Sequence, residues 1–267
     1  MGDLAELLPV AREAVAIGRR IVRDRAPLSV LAKGDRDMVT DVDLAVEDAV
    51  RAFLTRETPE IGILGEEHGR TGGSDGAPWW ALDPVDGTAN LARGIPLCAV
   101  SLGLVDGRRG VLAAIDLPFL EVGYTAAAGH GAYADDRRIH AAAGHELSGA
   151  MISIGDFARG DDADVRNGVR LELLRRLGAR AQRIRMIGAA AIDLAWVAQG
   201  RLDATVILSN LPWDTMAGAL LVREAGGAVV DQDDGEHTTD SLATIATCPG
   251  IRREIMAILR EAGAGPS

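Results

Sequence analysis

Aromatic residues are scarce in this chain: three Phe, two Tyr and four Trp among 267 residues. Its core must therefore be built mostly from Ala, Val, Leu and Ile. Cysteine is scarcer still. Cys98 and Cys248 stand alone with no CxxC spacing, and read as two reduced, partly buried thiols. No uninterrupted apolar run reaches the roughly 18–20 residues a membrane span requires, and the longest, 95–105, is about half that and holds Pro96, Ser101 and Gly103. The first twenty residues carry no basic stretch ahead of an apolar one, so no signal peptide is expected, and Glu6 stands where a myristoylation signal needs Ser or Thr. Basic residues are in deficit, 28 against 39 acidic, for a net charge of −11. Such a charge repels a phosphate backbone and argues against a nucleic-acid partner. These absences predict a cytoplasmic chain that engages neither membrane nor nucleic acid.

What is present is an ordinary globular composition, 48% hydrophobic, with enough length for one large domain or two small ones. Apolar spacing predicts helices over 4–23 and about 43–56, separated by the polar stretch AKGDRDMVTDVD. A short strand over 61–64 ends at Gly65, 70–78 reads as a loop, and WWAL (79–82) leads into an acid-rich turn. From Ala99 to the Asp135-Asp136 turn the pattern is an antiparallel meander. After a compositional break at 141–149, strands and helices alternate through MISIG, VRLELLRRLG, RIRMI, AAAIDLAWVAQG, DATVIL, TMAGALLVREAGG, AVVD and IRREIMAILREAG. That order favours a mixed or parallel sheet. The expected division is an N-terminal α+β half, 1–145, and a C-terminal α/β half, 146–267.

The segment Asp83-Pro84-Val85-Asp86-Gly87-Thr88 places two carboxylates three residues apart, read as one tight turn. Pro84 fixes one backbone angle, and Gly87 permits a positive φ or a close approach. Oxygen-only ligands suit a hard cation such as Mg²⁺. Two more acidic positions join them: Glu66-Glu67 after Gly65, and Asp214, which opens the helix after Trp213 and could equally serve as its N-cap. No CxxxxxR, GxSxG or HExxH pattern is present, and the Asp41-Val42-Asp43 element lacks the residues of a haloacid-dehalogenase nucleophile loop.

Three signatures together, GEE (65–67), LDPVDGTANLARGIP (82–96) and WDTMAGALLVREAGG (213–227), resemble the inositol monophosphatase family of metal-dependent, lithium-sensitive phosphomonoesterases. Weaker matches, VTDVDLAVE (39–47), GHGAY (129–133) and RMIGAAAIDLAWVAQGRLD (185–203), extend the likeness along nearly the whole chain. The resemblance implies an α+β fold, a layered αβαβα sandwich of the inositol monophosphatase and fructose-1,6-bisphosphatase type, and a homodimer. It implies two or three Mg²⁺ held by Glu66, Asp83, the Val85 carbonyl, Asp86 and Asp214. It assigns catalysis to Asp43, Thr88 and Glu66, with Thr88 hydrogen-bonding the attacking water and Asp43 orienting or deprotonating it. Asp86, Gly87, Thr88 and Asp214 would contact the substrate, a small phosphorylated metabolite, without a phosphoenzyme. Glu67 and Lys33 are given supporting or solvated places.

The likeness breaks at one informative position. Inositol-specific members carry a Glu seven residues before the WD aspartate, where this chain has Ile207. That loss weakens the case for inositol 1-phosphate and keeps other small sugar phosphates, histidinol phosphate and 3′-phosphoadenosine compounds open, with Ser209 and Asn210 as replacement polar contacts. A non-catalytic, partner-binding role is the alternative from another class. The five histidines read as surface or loop residues, and Trp79 and Trp80 as core.

Overall fold

The computed structural model describes residues 4–25, 27, 29–34, 37–144 and 146–263; His145 and the Lys33 side chain lie outside the described parts. Helices α1 (Leu4–Asp24) and α2 (Asp41–Glu57) match the expected spacing. Between them the polar stretch is not all loop, because β1 (Val30–Gly34) and β2 (Asp37–Thr40) pair as an antiparallel hairpin. Val30 and Leu31 are at least half exposed, so the hairpin has no buried face at that end to give the sequence an alternating signature.

Next come β3 (Gly62–Gly65), β4 (Gly69–Thr71), β5 (Trp79–Asp86) and the short helix α3 (Thr88–Ala92). The meander follows as β6 (Ala99–Asp106), β7 (Arg109–Leu117), β8 (Val122–Ala127), β9 (Gly131–Ala134) and β10 (Arg137–Ile139). These eight strands form one sheet in the order β10-β9-β8-β7-β6-β5-β3-β4, antiparallel except for the β3–β5 pair. The loop expected at 70–78 thus begins inside an edge strand.

The rest of the chain supplies β11 (Met151–Ile154), α4 (Ala163–Gly178), β12 (Arg183–Arg185), α5 (Ala190–Ala198) and β13 (Ala204–Ile207). It ends with α6 (Pro212–Glu224), β14 (Ala228–Val230), β15 (Thr244–Thr247) and α7 (Arg252–Gly263). The second sheet runs β12-β11-β13-β15-β14, parallel around β11 and antiparallel around β15. Strand β15 escaped the sequence reading. It is four residues of Thr, Ile and Ala buried on both faces, so it shows no polar–apolar alternation.

Three buried clusters define five layers. Helices α1 and α2 cover one face of the large sheet through Val15, Val46, Val50, Leu54, Leu82 and Leu102. Helices α5 and α6 lie between the two sheets, in a cluster that joins Ile115 and Tyr124 to Leu194, Leu221 and Ala246. Helices α4 and α7 close the outer face of the small sheet through Leu173, Leu177, Ile255 and Ile258. This is the αβαβα sandwich expected from the resemblance. Helix α5 is buried on nearly every side, as a helix between two sheets must be. Among the described residues, no helix is long and apolar enough to cross a membrane.

Glycines let α6 approach the large sheet closely. A Cβ on Gly110 would lie 2.6 Å from the Met216 carbonyl oxygen, and one on Gly103 would lie 3.0 Å from the Ala217 nitrogen. Backbone rests on backbone here, and this contact sets the position of the helix that carries Asp214. Gly110→Ala should therefore cost about 1–3 kcal/mol, the usual penalty for overpacking. Urea unfolding with an unchanged midpoint would contradict that expectation.

Candidate active site

Asp83 and Asp86 lie on strand β5, not on a turn. In a regular strand, residues three apart face opposite sides of the sheet. Here Asp83 pairs with Ser101 and Asp86 with Ala99, so three steps on β5 oppose two on β6. This one-residue bulge returns both carboxylates to the same side. Pro84, which has no N–H to give the ladder, sits inside the irregularity. The Asp83 carboxylate accepts the Val85 N–H at 3.0 Å. Gly87 follows at φ +97, and a Cβ there would lie 2.8 Å from the Leu97 carbonyl, so glycine is needed for both angle and space.

Glu66 leaves the end of β3 beside this bulge, its N–H donating to the Leu82 carbonyl at 3.2 Å. Its loop is clamped from below by Glu47, a fully buried residue of α2. Glu47 accepts the N–H groups of Glu67 at 2.9 Å and His68 at 3.0 Å, and pairs with Arg51 at 2.7 Å. The sequence reading gave Glu47 no role. Its signal was available, since an acid shares the inward surface of α2 with Val42, Val46 and Val50.

Asp43 is tied on both oxygens. One accepts from the Thr40 N–H at 3.0 Å and from the Thr40 hydroxyl, completing a capping box at the start of α2. The other accepts the Thr88 hydroxyl at 2.6 Å. The same hydroxyl lies 3.0 Å from the Val85 carbonyl oxygen. Two residues separated by 45 positions are thus brought into direct contact.

The C-terminal half contributes from two sides. The N-terminus of α5 holds Asp86, whose carboxylate accepts the Ala191 N–H. Helix α6 starts at Pro212 with Leu211 as its cap, so Asp214 is the third helical residue and not the N-cap. Asn210 fixes this start. Its amide donates to the carbonyls of Thr238 and Ser241, and its oxygen accepts the Thr215 hydroxyl at 2.8 Å. Asn210 is therefore a structural hub and not a ligand contact. His237 joins it at 3.0 Å from a loop, one of the two places expected for the histidines, but it is fully buried there. Burial, followed by the Arg223 charge, pushes the His237 imidazole down to about 4. Asn90 links the halves by donating to the carbonyls of Leu97 and Ile187.

These groups line a cleft of about 470 Å³ that includes Glu66, Asp83, Val85, Asp86, Gly87, Thr88 and Asp214. Ile207 and Ser209 line it as well. Burial pushes the Asp83 carboxyl well above the usual range, and the charges of Glu66, Asp86, Asp214 and Asp43 push it further. Burial also raises Asp86 to about 7, against the opposing pull of the Ala191 and Ala190 N–H groups. The donor set is carboxylate and carbonyl oxygen under strong mutual repulsion, which fits hard divalent cations. Among the described residues, no three His, Cys, Asp or Glu side chains stand close enough together to hold a metal ion as they are.

The sign of the Asp86 shift makes a stability prediction. A raised folded-state pKa means that the unfolded chain releases this proton first as pH rises. In chelator, the contribution of this group should be complete below about pH 4 and disappear by about pH 7. Denaturant titrations showing flat or rising stability across that window would contradict the assignment. Glu47→Ala should cost about 3–5 kcal/mol, because it leaves Arg51 and two N–H groups without their buried acceptor. A loss under 1 kcal/mol by urea unfolding would show the clamp to be dispensable.

The sequence profile described as the inositol monophosphatase family matches residues 3–264. An inositol-1-monophosphatase of Mesorhizobium japonicum is 36% identical over 98% of both chains. A relative named Nus factor SuhB, from Xylella fastidiosa, is 38% identical over 84% of this chain and 80% of its own. Among solved structures, the extragenic suppressor protein suhB of Bartonella henselae superposes with a TM-score of 0.87 at 32% identity, covering 97% of this chain and 98% of that one. Matched along almost its whole length by sequence and by fold, the chain belongs to the inositol monophosphatase family.

Proposed function

We propose that this chain is a Mg²⁺-dependent phosphoric monoester hydrolase in which water, and no side chain, attacks phosphorus. The observation that carries this reading is the 2.6 Å contact between Thr88 and Asp43 at the edge of the carboxylate cleft. Glu66, Asp83, the Val85 carbonyl, Asp86 and Asp214 would hold two or three Mg²⁺, which when bound supply the positive charge that admits a phosphate dianion and lower the pKa of water.

The protein's own groups do the rest. Thr88 gives its hydrogen to Asp43, which leaves its oxygen free to accept a hydrogen from the attacking water. A threonine hydroxyl is too weak a base by itself, and the Asp43 carboxylate provides the proton's destination. With one Asp43 oxygen held by Thr40, the other is fixed toward Thr88. Glu66 orients the water from the neighbouring end of β3, and the N–H groups of Gly87 and Thr88 face the phosphate. The two sheets, one on each side of α5 and α6, support a division into halves at 145/146 with the cleft between them.

The substrate is a small phosphate monoester of the inositol-phosphate or sugar-phosphate kind. Ile207 is buried at the cleft wall and offers a polyol no hydrogen bond. A partner-binding role is a second reading, favoured by relatives that carry the name Nus factor SuhB. Capture of a stoichiometric partner, equally by the Asp86→Asn protein, would support it.

Phosphate release should require Mg²⁺ and vanish in chelator. Asp86→Asn should lower kcat/KM by more than about 100-fold, since even groups behind a metal ligand cost that much, while leaving the circular dichroism spectrum unchanged. Millimolar lithium should inhibit. Metal-independent release, or full turnover by Asp86→Asn, would overturn the ligand assignment.

A further inference from the structure

The cleft is not acidic throughout. Arg166 and Arg170 of α4 line it together with Leu208 and Ser209, and the same four residues line an adjoining cavity of about 660 Å³. Arg170 is only 7% exposed, yet its guanidinium is held by main-chain carbonyls alone. Nε donates to Asp156 at 3.2 Å, Nη1 to Arg166 at 3.2 Å and Nη2 to Leu208 at 2.8 Å. Carbonyls aim a guanidinium without neutralising its charge. The contrast lies on the same helix, where Arg175 and Arg176 both pair with Glu172. Among the described residues, neither Arg166 nor Arg170 has a carboxylate partner.

The pair also repel each other. Burial, and then the Arg166 charge, pull Arg170 below the usual guanidinium range. Asp156, which lines the cleft beside them, raises Asp86 and Asp193, and Asp233 lines the adjoining cavity. The adjacent strand ends in apolar Ile207, which supplies no counter-charge. Two like charges held together, one of them buried, are relieved most directly by an anion.

We propose that Arg166 and Arg170 form a second anion subsite, so that the preferred phosphate monoester carries another anionic group on its leaving part. This rests on the hydrolase reading and names its substrate class. A guanidinium pair recognises phosphate or carboxylate through paired N–H bonds. A cleft of about 470 Å³ is large enough for a small two-ended anion.

The test reads binding, so it stands apart from turnover. The full chain with Mg²⁺ is titrated calorimetrically with propylphosphonate, propane-1,3-bisphosphonate and 3-phosphonopropionate, none of which is hydrolysed. At least one two-ended probe should bind about tenfold more tightly than propylphosphonate, and which one identifies phosphate or carboxylate as the second group. Arg166→Ala, at an exposed position, should abolish that gain, Arg166→Lys should retain part of it, and the distant Arg180→Ala should leave it intact. Arg170→Gln, which keeps donors for the carbonyls, should reduce it as well. Equal affinity for all three probes, or a gain that survives both Arg166→Ala and Arg170→Gln, overturns the proposal. Absence of metal-dependent phosphate release with the gain intact would instead overturn the hydrolase reading.

Discussion

Several carboxylates of one sign share a single cleft under partial burial, and the architecture is arranged to hold them there against their repulsion. Asp83 and Asp86 come from a bulged strand, Glu66 from the end of its neighbour, Asp43 from the first turn of α2 and Asp214 from α6. Four of the five are restrained by contacts outside this set. The Val85 N–H holds Asp83, the Ala191 N–H holds Asp86, Thr40 holds Asp43, and Glu47 holds the loop behind Glu66. Like charges at short range in a poorly screened site would otherwise spread or take up protons. Burial first, and that repulsion after it, raises the Asp83 and Asp86 carboxyls.

The supports of Asp83 and Asp43 are local, but others join distant parts of the chain. Asp86 belongs to the large sheet but is held by helix α5, more than a hundred residues along the chain, and Asn90 reaches from α3 to Ile187. Asn210 gathers three carbonyls and a hydroxyl to fix the start of α6. That helix in turn lies directly against Gly103 and Gly110 of the large sheet. The cleft is therefore a property of how the layers meet.

Much of the fold was legible because amphipathic helices such as α1 and the alternating meander carry their periods openly. The acidic positions were legible as motifs, and the Asp43–Thr88 pairing as a resemblance. What escaped had no local signature. The exposed β1–β2 hairpin and the doubly buried β15 both lack alternation. The bulge was taken for a turn because Pro84 and Gly87 signal either one. Asn210 read as a substrate contact and His237 as a surface or loop residue because their partners lie far along the chain. Glu47 was hidden among solvated acids, although its spacing with Val46 and Val50 placed it on the inward surface.

Asp43 divides its two oxygens between a helix cap and the Thr88 hydroxyl. Opening the first turn of α2 would release both at once, and helix ends are the parts of a fold that open most readily. On the proposed mechanism, local melting of that single turn would silence the site while every sheet remains intact. By the same mechanism, warming would end catalysis at or below the temperature at which the chain unfolds, with the gap between them set in part by how firmly one threonine holds one helix end.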